Sequence, residues 1–264
     1  MNQSFQNKVA IITGAGSGIG LAIAQQLGEY GVSVILNDIS SEKAYLAAEA
    51  IQLQGGACLA IPGDASKLEL IDNLIDAALN RFGRLDFCIA NAGLTHFGDF
   101  FSFTPEAFED IMDLNLKGTF FLCQAVARQF RKSGIQGRLL VMSSNIGAKS
   151  YPNLTAYSMS KAALQMMVKS LVLALSPYQI SINALAPGAT LTPRTLEDEP
   201  NYERQWQDLI PLGKVATPKK IAEVALFLLS PAANHITGQT IVVDGGWNQT
   251  GTYPSSTTSK SNII

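Results

Sequence analysis

Short apolar runs alternate with helix-forming segments along almost the whole 264-residue chain. Continuous apolar runs are typical of strands buried on both faces, and intervening helices imply parallel strands joined by right-handed crossovers. The sequence therefore predicts an α/β fold in which one domain, residues 1–264, holds a doubly wound seven-stranded parallel sheet with helices on both faces. The strands are predicted at 8–13, 32–38, 57–61, 85–90, 137–143, 179–185 and 239–244, and the helices at 19–30, 41–54, 66–82, 105–132, 155–175 and 218–230.

Composition limits the partners that this domain can have. Its 47% hydrophobic residues can fill a large core, and its formal charge of −2 favours neither nucleic acid nor an anionic membrane. The start lacks the apolar core of a signal peptide, and no apolar run reaches the ~18 residues of a membrane span. Cys58, Cys88 and Cys123 lie in apolar runs, which predicts buried thiols in a reducing compartment. We therefore expect a cytoplasmic protein with a small-molecule partner, and with only His96 and His235 we expect no metal site.

A glycine-rich turn, "TGAGSGIG" at 13–20, follows the first predicted strand and opens the first long helix. Its glycines let the backbone turn tightly and approach a ligand, while the helix N-terminus offers N–H groups to a pyrophosphate. The spacing from Gly14 through Gly18 to Gly20 is G-x-x-x-G-x-G, not the common G-x-G-x-x-G. The turn alone could be a tight loop, but its position between strand and helix favours a Rossmann-type dinucleotide site.

Asp38 ends the second predicted strand, 18 residues after Gly20. A carboxylate at this position accepts hydrogen bonds from the adenosine ribose and repels a 2′-phosphate, which favours NAD over NADP. Its neighbours at positions 37, 39 and 40 bring no cation. The alternative is a turn or helix-capping aspartate.

Tyr157 precedes Lys161 by four residues, so both side chains lie on one helical face. A phenol with a pKa near ~10 is a poor base at neutral pH, but a nearby ammonium and the positive ring of an oxidised nicotinamide cofactor both favour the phenolate. Two unrelated surface residues would give the same spacing. If the pair is functional, Tyr157 can take or give the proton of an alcohol.

These motifs together resemble the short-chain dehydrogenase/reductase family from about residue 6 to 250. The resemblance rests on "TGAGSGIG", "GDAS" at 63–66, "NAG" at 91–93, "MDLNLKGTF", "VMSSNIG", "YSMSK", "LAPGATLT" and "ITGQTIVVDGG". The segments "IPLGKVATPKKIAEVALFLLS" and "DGGWNQTGTYPSS" look most like glucose 1-dehydrogenases and related sugar or polyol dehydrogenases, and 3-oxoacyl reductases share much of them. The polar cluster that the glucose enzymes carry between serine and tyrosine is here "IGAK", which keeps a cyclic alcohol or ketone open as substrate.

The resemblance implies a role for each matching residue. Tyr157 would be the acid/base, Ser144 would bind the reacting oxygen, Lys161 would bind the nicotinamide ribose, and Asn115 would distort its helix and hold a water. A helix-interior asparagine bonded to local backbone is the alternative for Asn115. The implied catalytic residues are Ser144, Tyr157, Lys161 and Asn115. The implied cofactor-binding residues are Gly14, Ser17, Gly18, Ile19, Asp38, Asp64, Ala65, Asn91, Gly93, Tyr157, Lys161, Pro187, Gly188 and Thr192. The substrate residues are Ser144, Tyr157, Asn145 and Tyr151.

Three segments are expected to enclose the substrate: 95–97, 145–154 and a lid at 188–212. His96 could contact substrate or be a solvated loop residue. The Ser/Thr-rich end, 251–264, is expected to be a mobile tail or a subunit contact. The family resemblance further implies a homotetramer.

Three functions remain open. The first is an NAD-dependent dehydrogenase of a sugar, polyol or cyclic secondary alcohol, with NADP a less favoured cofactor. The second is an NADPH-dependent 3-oxoacyl thioester reductase. The third is a non-catalytic, nucleotide-binding regulatory protein, against which the joint presence of Ser144, Tyr157 and Lys161 argues.

Overall fold

The computed structural model describes residues 2–250, so the segment predicted as a tail, 251–264, lies outside the described residues. The strands are β1 Val9–Ile12, β2 Ser33–Leu36, β3 Cys58–Ala60, β4 Phe87–Ala90, β5 Arg138–Met142, β6 Ser181–Pro187 and β7 Thr240–Val243. They form one sheet in the order β3-β2-β1-β4-β5-β6-β7, and every neighbouring pair is parallel. The predicted seven-stranded parallel sheet is confirmed.

Helices cover both faces of the sheet. They are α1 Asn2–Phe5, α2 Gly18–Glu29, α3 Ser41–Leu53, α4 Leu68–Phe82, α5 Pro105–Ile111, α6 Thr119–Ser133, α7 Thr155–Ser170, α8 Val172–Leu175, α9 Pro193–Asp198, α10 Tyr202–Gln207 and α11 Pro218–Leu229. The single helix predicted at 105–132 is interrupted by a π-helix, Met112–Gly118. The predicted lid at 188–212 carries the two short helices α9 and α10, which its weak periodicity did not indicate.

Successive strand residues point to opposite faces and build two separate cores. Ala10 and Ile12 of β1 pack with α2, α3 and α11, whereas Val9 and Ile11 pack with α4, α6 and α7. Each helix buries its apolar face against the sheet, which is the main source of its stability. The fold is therefore a three-layer αβα sandwich. The helices cover the two faces of the sheet, and the loops lie at the ends of the strands.

The chain reverses its direction of travel across the sheet between β1 and β4. In doubly wound sheets, ligands bind at the carboxyl ends of the strands at this switch point. Here the loops after β1 and β4 are joined directly: the Asn91 side-chain amide donates to the carbonyls of Thr13 at 2.9 Å and Gly14 at 2.8 Å. The Thr13 hydroxyl in turn accepts from the Asn91 backbone N–H at 3.1 Å. These bonds hold the glycine turn beside the "NAG" turn.

An ionic cluster joins β1 and β4 at their amino ends, on the side of the sheet opposite the glycine turn. Asp86 is 3% exposed and accepts from the Val9 backbone N–H at 3.0 Å, from Lys8 Nζ at 3.1 Å and from Arg84 Nη2 at 2.7 Å and Nε at 2.8 Å. Because both carboxylate oxygens are bonded, the cost of burying the charge is offset. Asp86 thus ties the start of β1 to the start of β4.

The three cysteines are buried, as predicted, and are free thiols in the described part of the chain. Burial raises the pKa of Cys58 and of Cys123 to about 12. Both thiols therefore stay protonated and unreactive near neutral pH. Within residues 2–250 we find no helix whose length and apolarity would let it span a bilayer.

Candidate active site

A cleft of about 210 Å³ opens at the switch point, along the carboxyl ends of β1, β2 and β4. Main-chain turns, two carboxylates and small side chains form its walls, a surface suited to a polar, extended ligand. The lining residues are Gly14, Ser17, Asn37, Asp38, Ile39, Gly63, Asp64, Ala65, Asn91, Ala92, Gly93 and Leu114. Those among them that were predicted to bind a cofactor are Gly14, Ser17, Asp38, Asp64, Ala65, Asn91 and Gly93.

Close packing accounts for the unusual glycine spacing. Gly14 has a φ of +61°, and a β-carbon there would lie 2.8 Å from the Ala92 Cα. A β-carbon on Gly20 would lie 2.4 Å from the Gly14 carbonyl oxygen, so the first turn of α2 rests directly on the glycine turn. In the described part of the chain, the Ser17 side chain accepts no capping hydrogen bond from the first N–H groups of α2. The N–H groups of this first turn, which includes Ile19, are therefore not occupied by a side-chain cap and can donate to an anion.

Asp38 stands at the far rim of the cleft and is 9% exposed. Its Oδ2 accepts from the Gly16 N–H at 2.9 Å and its Oδ1 from the Ser40 N–H at 3.0 Å. These bonds orient the carboxylate and leave its other lone pairs available to a ribose. A β-carbon on Gly16 would lie 2.8 Å from both Asp38 Oδ2 and the Lys43 Cβ, so Lys43 stands beside the same corner. Sequence reasoning missed Lys43 because it considered only the chain neighbours of Asp38, not the first turn of α3.

Asp64 lies on the opposite wall of the cleft. Its Oδ1 accepts from the Ser66 N–H at 2.9 Å, and Lys67 Nζ is 3.8 Å from its other oxygen. Burial acts to raise the pKa of Asp64, but the bonds from Ser66 and the charge of Lys67 outweigh burial and lower it. The Asp64 carboxylate is therefore ionised at neutral pH, with its neighbour Ala65 against the same cleft.

Lys161 lies on the same face of α7 as Tyr157, as the spacing of four predicts. Its ammonium is 3% exposed, donates to the Met142 carbonyl at 2.8 Å and is 5.5 Å from the centre of the Tyr157 ring. Burial lowers the pKa of Lys161 to about 8. A β-carbon on Gly93 would lie 3.3 Å from Lys161 Nζ and 3.2 Å from Asn115 Oδ1, which leaves little room for a larger residue in this turn.

The side chains of Thr95 and Ser144 lie close enough to the Tyr157 hydroxyl to affect its pKa. Burial raises the pKa of Tyr157; these two polar side chains and the positive charge of Arg194 act in the opposite direction without cancelling the effect of burial. In the chain without ligand the effect of burial on this pKa is the largest, and the cation that acts on the hydroxyl is Arg194. The expectation that an ammonium and a bound oxidised nicotinamide together favour the phenolate stays a prediction.

Hydrogen bonds between the end of β5 and α7 set the distance from Ser144 to Tyr157. The Gln165 side-chain amide donates to Ser143 Oγ at 3.1 Å and to the Ser144 carbonyl at 3.0 Å. Ser143 Oγ donates to the Lys161 carbonyl at 2.9 Å. Gln165, one turn beyond Lys161, was not singled out from the sequence, although its i+4 position places it on the same face.

Asn115 lies at the centre of the π-helix and is 0% exposed. Its Oδ1 accepts from the Leu94 N–H at 2.8 Å, while its Nδ2 donates to the Leu94 carbonyl at 3.0 Å and to Ser160 Oγ at 3.1 Å. The amide thus connects the loop after β4 with α7, instead of bonding to its own helix. A distorted helix at Asn115 agrees with the resemblance, since π-helical turns are frequent at functional sites. Its water-holding role stays a prediction.

Asn145 and Gly188 pack behind Ser144. Asn145 is 4% exposed; its Nδ2 donates to Asp244 Oδ2 at 3.4 Å and its Oδ1 accepts from Ser144 Oγ at 3.4 Å. Its amide therefore supports the serine from inside, and its predicted contact with substrate stays a prediction. Gly188 follows Pro187 at the end of β6, and a β-carbon there would lie 2.4 Å from the Asp244 Cβ.

The lid is fixed to the site at two points. Thr192 faces the glycine turn, since a β-carbon on Gly18 would lie 3.5 Å from its Cγ2. Farther along, Trp206 of α10 is buried and stacks on Tyr151, with ring centres 6.1 Å apart and an angle of 17° between the rings. Trp206 also meets Trp247 edge-on at 5.3 Å. Tyr151 is thus part of an aromatic cluster with Trp206 and Trp247, and its predicted contact with substrate stays a prediction.

The comparison with protein families agrees with this arrangement. A family model described as enoyl-(acyl carrier protein) reductase matches residues 14–248. A short-chain dehydrogenase/reductase of Armillaria gallica is 37% identical over 250 residues, 91% of this chain and 96% of that protein. The chain belongs to the short-chain dehydrogenase/reductase family. As a short-chain dehydrogenase/reductase it is an oxidoreductase, and the resemblance read from its motifs is confirmed.

Two other members of the short-chain dehydrogenase/reductase family carry names that correspond to two of the functions left open by the sequence. The L-rhamnose-1-dehydrogenase of Scheffersomyces stipitis is 36% identical over 252 residues, 93% of this chain and 98% of that protein. A crystal structure of the 3-ketoacyl-(acyl-carrier-protein) reductase of Brucella melitensis complexed with NADH has a TM-score of 0.86 and 34% identity, covering 93% of this chain and 100% of that one. Family members bind a nicotinamide cofactor, and the free helix N-terminus, the Asp38 carboxylate and the ordered Asn91 turn fit such a group.

Proposed function

We propose that this protein is an NAD-dependent dehydrogenase that interconverts a secondary alcohol and a ketone. The observation that carries this proposal is that buried Lys161 lies 5.5 Å from the centre of the Tyr157 ring, while Gln165 of the same helix holds the Ser144 carbonyl at 3.0 Å. We further propose a sugar, a polyol or a cyclic alcohol as the substrate class, which the similarity to an L-rhamnose-1-dehydrogenase supports.

The chain's own residues divide the chemistry as follows. A bound nicotinamide supplies a site that accepts or gives a hydride. Tyr157 takes the hydroxyl proton of the alcohol, or returns it to the ketone, and Ser144 donates a hydrogen bond to the same oxygen as its charge changes. Lys161 keeps a positive charge beside Tyr157, and Asn115 holds the backbone at Leu94 in place.

The cofactor preference rests on Asp38. Its carboxylate is held at the cleft rim by two backbone N–H groups, where it can accept bonds from ribose hydroxyls and repel a 2′-phosphate. We expect NAD to exceed NADP in kcat/KM by at least about tenfold, the ratio that corresponds to 1.4 kcal/mol of discrimination.

A reductase of 3-oxoacyl thioesters that uses NADPH is the second candidate. The similarity to a 3-ketoacyl-(acyl-carrier-protein) reductase favours it, and so does Lys43, which brings a cation to the corner beside Asp38. A third candidate, a nucleotide-binding regulatory protein without turnover, would not need Ser144, Tyr157 and Lys161 to be held together at one site.

We also propose a cytoplasmic homotetramer. Buried free thiols support a reducing compartment. The outer faces of α6 and α7 expose Phe120, Met159 and Met166, and an apolar cavity of about 250 Å³ lies beside Phe120. Apolar faces of this kind are typical of subunit contacts in symmetric oligomers.

The test is an initial-rate assay at the absorbance of the reduced nicotinamide. Sugars, polyols, cyclic alcohols and acetoacetyl thioesters are each tried with both cofactors. Oxidation of an alcohol with NAD supports the proposal, whereas turnover of thioesters alone supports the second candidate. The Tyr157→Phe variant should lose about 10²- to 10⁴-fold in kcat while NAD binding, measured by calorimetry, is unchanged. Full activity of that variant would remove Tyr157 as the acid/base.

A further inference from the structure

A hydrogen bond connects the lid to the loop after β4 next to Tyr157. Arg194, the second residue of α9, donates from Nη2 to the Thr95 carbonyl at 2.9 Å. The Thr95 side chain is in turn close enough to the Tyr157 hydroxyl to lower the pKa of that phenol. The clasp of Arg194 on Thr95 therefore connects the lid to the loop beside the tyrosine. Both residues lie in segments expected to enclose the substrate, but neither was given a role in the proton transfer.

Local structure holds Arg194 in this position. Thr192 accepts from the Thr195 N–H at 3.2 Å, and Thr195 Oγ1 accepts from the Thr192 N–H at 2.8 Å, which closes a capping box at the start of α9. Arg194 Nε lies 3.6 Å from Asp198 Oδ2, one turn farther along the helix. The planar guanidinium can serve both partners because its nitrogens point in different directions. Its side chain stays 54% exposed, so it is not a core residue.

We propose that Arg194 is a positioning residue for the proton transfer, an inference that rests on the proposed function of Tyr157. By donating to the Thr95 carbonyl it holds the Thr95 hydroxyl against Tyr157. It also fixes a positive charge on the lid side of the phenol. Both effects favour the phenolate that accepts a proton during alcohol oxidation.

The charged groups around Tyr157 come from different helices, so the effect of Arg194 on the Tyr157 phenol can be measured separately from that of Lys161. Lys161 approaches the ring from α7, and the guanidinium of Arg194 approaches from α9 with Asp198 behind it. Tyr151 and Tyr202 pack in the same cluster as Tyr157, and the pKa of Tyr202 is raised by burial and by its neighbours Tyr151 and Tyr157. His96, next to Thr95, is directed away to Asp110 at 3.5 Å.

At alkaline pH Arg194 keeps its positive charge near Tyr157, whereas Lys161 begins to lose its own. The pKa of Lys161 is lowered to about 8 by burial, so its ammonium starts to lose its proton in the range where alcohol oxidation needs a phenolate. A guanidinium keeps its charge throughout that range. Because the side chain is half exposed, its effect on Tyr157 should weaken as salt is added, whereas a steric role would not depend on salt.

The test compares pH profiles of kcat/KM for alcohol oxidation in the full-length enzyme. Arg194→Gln should displace the acidic limb to higher pH and lower kcat/KM below the limb by about tenfold, the effect of one charge-assisted hydrogen bond. The acidic limb of Arg194→Lys should lie between those of Arg194→Gln and the wild type, because lysine keeps the positive charge but lacks the planar guanidinium with its several N–H donors. Thr95→Val should shift the limb in the same direction. The double variant with Arg194→Gln and Thr95→Val should shift the limb by less than the sum of the two single shifts, since Arg194 acts partly through Thr95.

The matched control is Lys220→Gln on α11, an exposed cation paired with Glu223 in its own helix. It should reproduce the wild-type profile. A wild-type profile for Arg194→Gln, or an equal shift in Lys220→Gln, would overturn the inference while leaving the dehydrogenase proposal intact. Ultraviolet titration of the Tyr157 phenolate, taken as wild type minus Tyr157→Phe, reads the same shift without turnover. An unchanged midpoint in Arg194→Gln would contradict the clasp even if the proposed function failed.

Discussion

Replacing Asp38 with serine should change the cofactor that this protein uses. The carboxylate stands at the cleft rim, fixed by the N–H groups of Gly16 and Ser40. A phosphate on the adenosine 2′-oxygen would share this corner with a fixed negative charge. Asp38→Ser removes that charge and keeps a small polar side chain that can still accept a hydrogen bond from Gly16 or Ser40. We therefore expect kcat/KM with NADP to rise and kcat/KM with NAD to fall.

The size of the change follows from Coulomb repulsion at the rim. Two like unit charges about 4 Å apart repel by about 1 kcal/mol in water and about 4 kcal/mol at an effective dielectric constant of 20. Asp38 is 9% exposed beside an open cleft, which places it between these limits. A value of about 2 kcal/mol corresponds to a rise of about thirtyfold in kcat/KM with NADP. Loss of the ribose bonds should lower kcat/KM with NAD by about tenfold.

Lys43 provides an internal control for this prediction. Its Cβ lies beside Gly16 and Asp38, so its ammonium can reach a 2′-phosphate once the competing carboxylate is gone. Adding Lys43→Ala to Asp38→Ser should cancel about tenfold of the gain with NADP, the value of one charge-assisted hydrogen bond, and leave kcat/KM with NAD unchanged. Glu69→Ala on α4, an exposed carboxylate in the first turn of another helix, should change neither.

The assay is steady-state kinetics with one alcohol and each cofactor in turn, supported by calorimetric affinities for the reduced cofactors. Comparable use of NAD and NADP by the wild type would contradict the preference assigned to Asp38. An unchanged NADP-to-NAD ratio in Asp38→Ser would refute the electrostatic reasoning itself. A gain that persists after Lys43→Ala would show that removal of repulsion suffices.

Two further predictions concern stability and assembly. Asp86→Ala should lower the free energy of unfolding in urea by about 2–4 kcal/mol, because it leaves the buried Val9 N–H without an acceptor while the partly exposed cations Lys8 and Arg84 can hydrate. The control Asp113→Ala breaks an exposed ion pair with Lys117 and should lower the free energy of unfolding by less than about 0.5 kcal/mol. Equal losses in the two variants would refute the argument. Light scattering should give a tetramer mass that Phe120→Glu lowers; a monomeric wild type would contradict the proposed assembly.

The parts of the fold that follow from local chemistry were predictable from the sequence. Seven buried runs separated by helices specify a parallel sheet, because only such a sheet buries both faces of each strand. The glycine turn and Asp38 followed in the same way, since a turn between strand and helix needs positive φ at Gly14 and close packing at Gly20. Tyr157 and Lys161 followed from helical periodicity.

The features that were missed arise from contacts between distant segments. The π-helix at Met112–Gly118 depends on the bonds of Asn115 to Leu94 and Ser160, and no local pattern records such partners. The upward effect of burial on the pKa of Tyr157 was missed for the same reason, since burial is a property of the assembled pocket. The clasp of Arg194 on Thr95 joins residues 99 positions apart.

The division between predicted and missed features matches a division of labour in the site. The residues proposed to carry the chemistry, from the glycine turn to Ser144 and Lys161, have positions that follow from strand ends and one helix face. The environment of the Tyr157 hydroxyl is set by the loop after β4 and by the lid, through Thr95 and Arg194. Changes in those two segments can therefore alter substrate choice and pH dependence while the hydride chemistry stays the same, which is why the sequence specifies the reaction class more narrowly than the substrate.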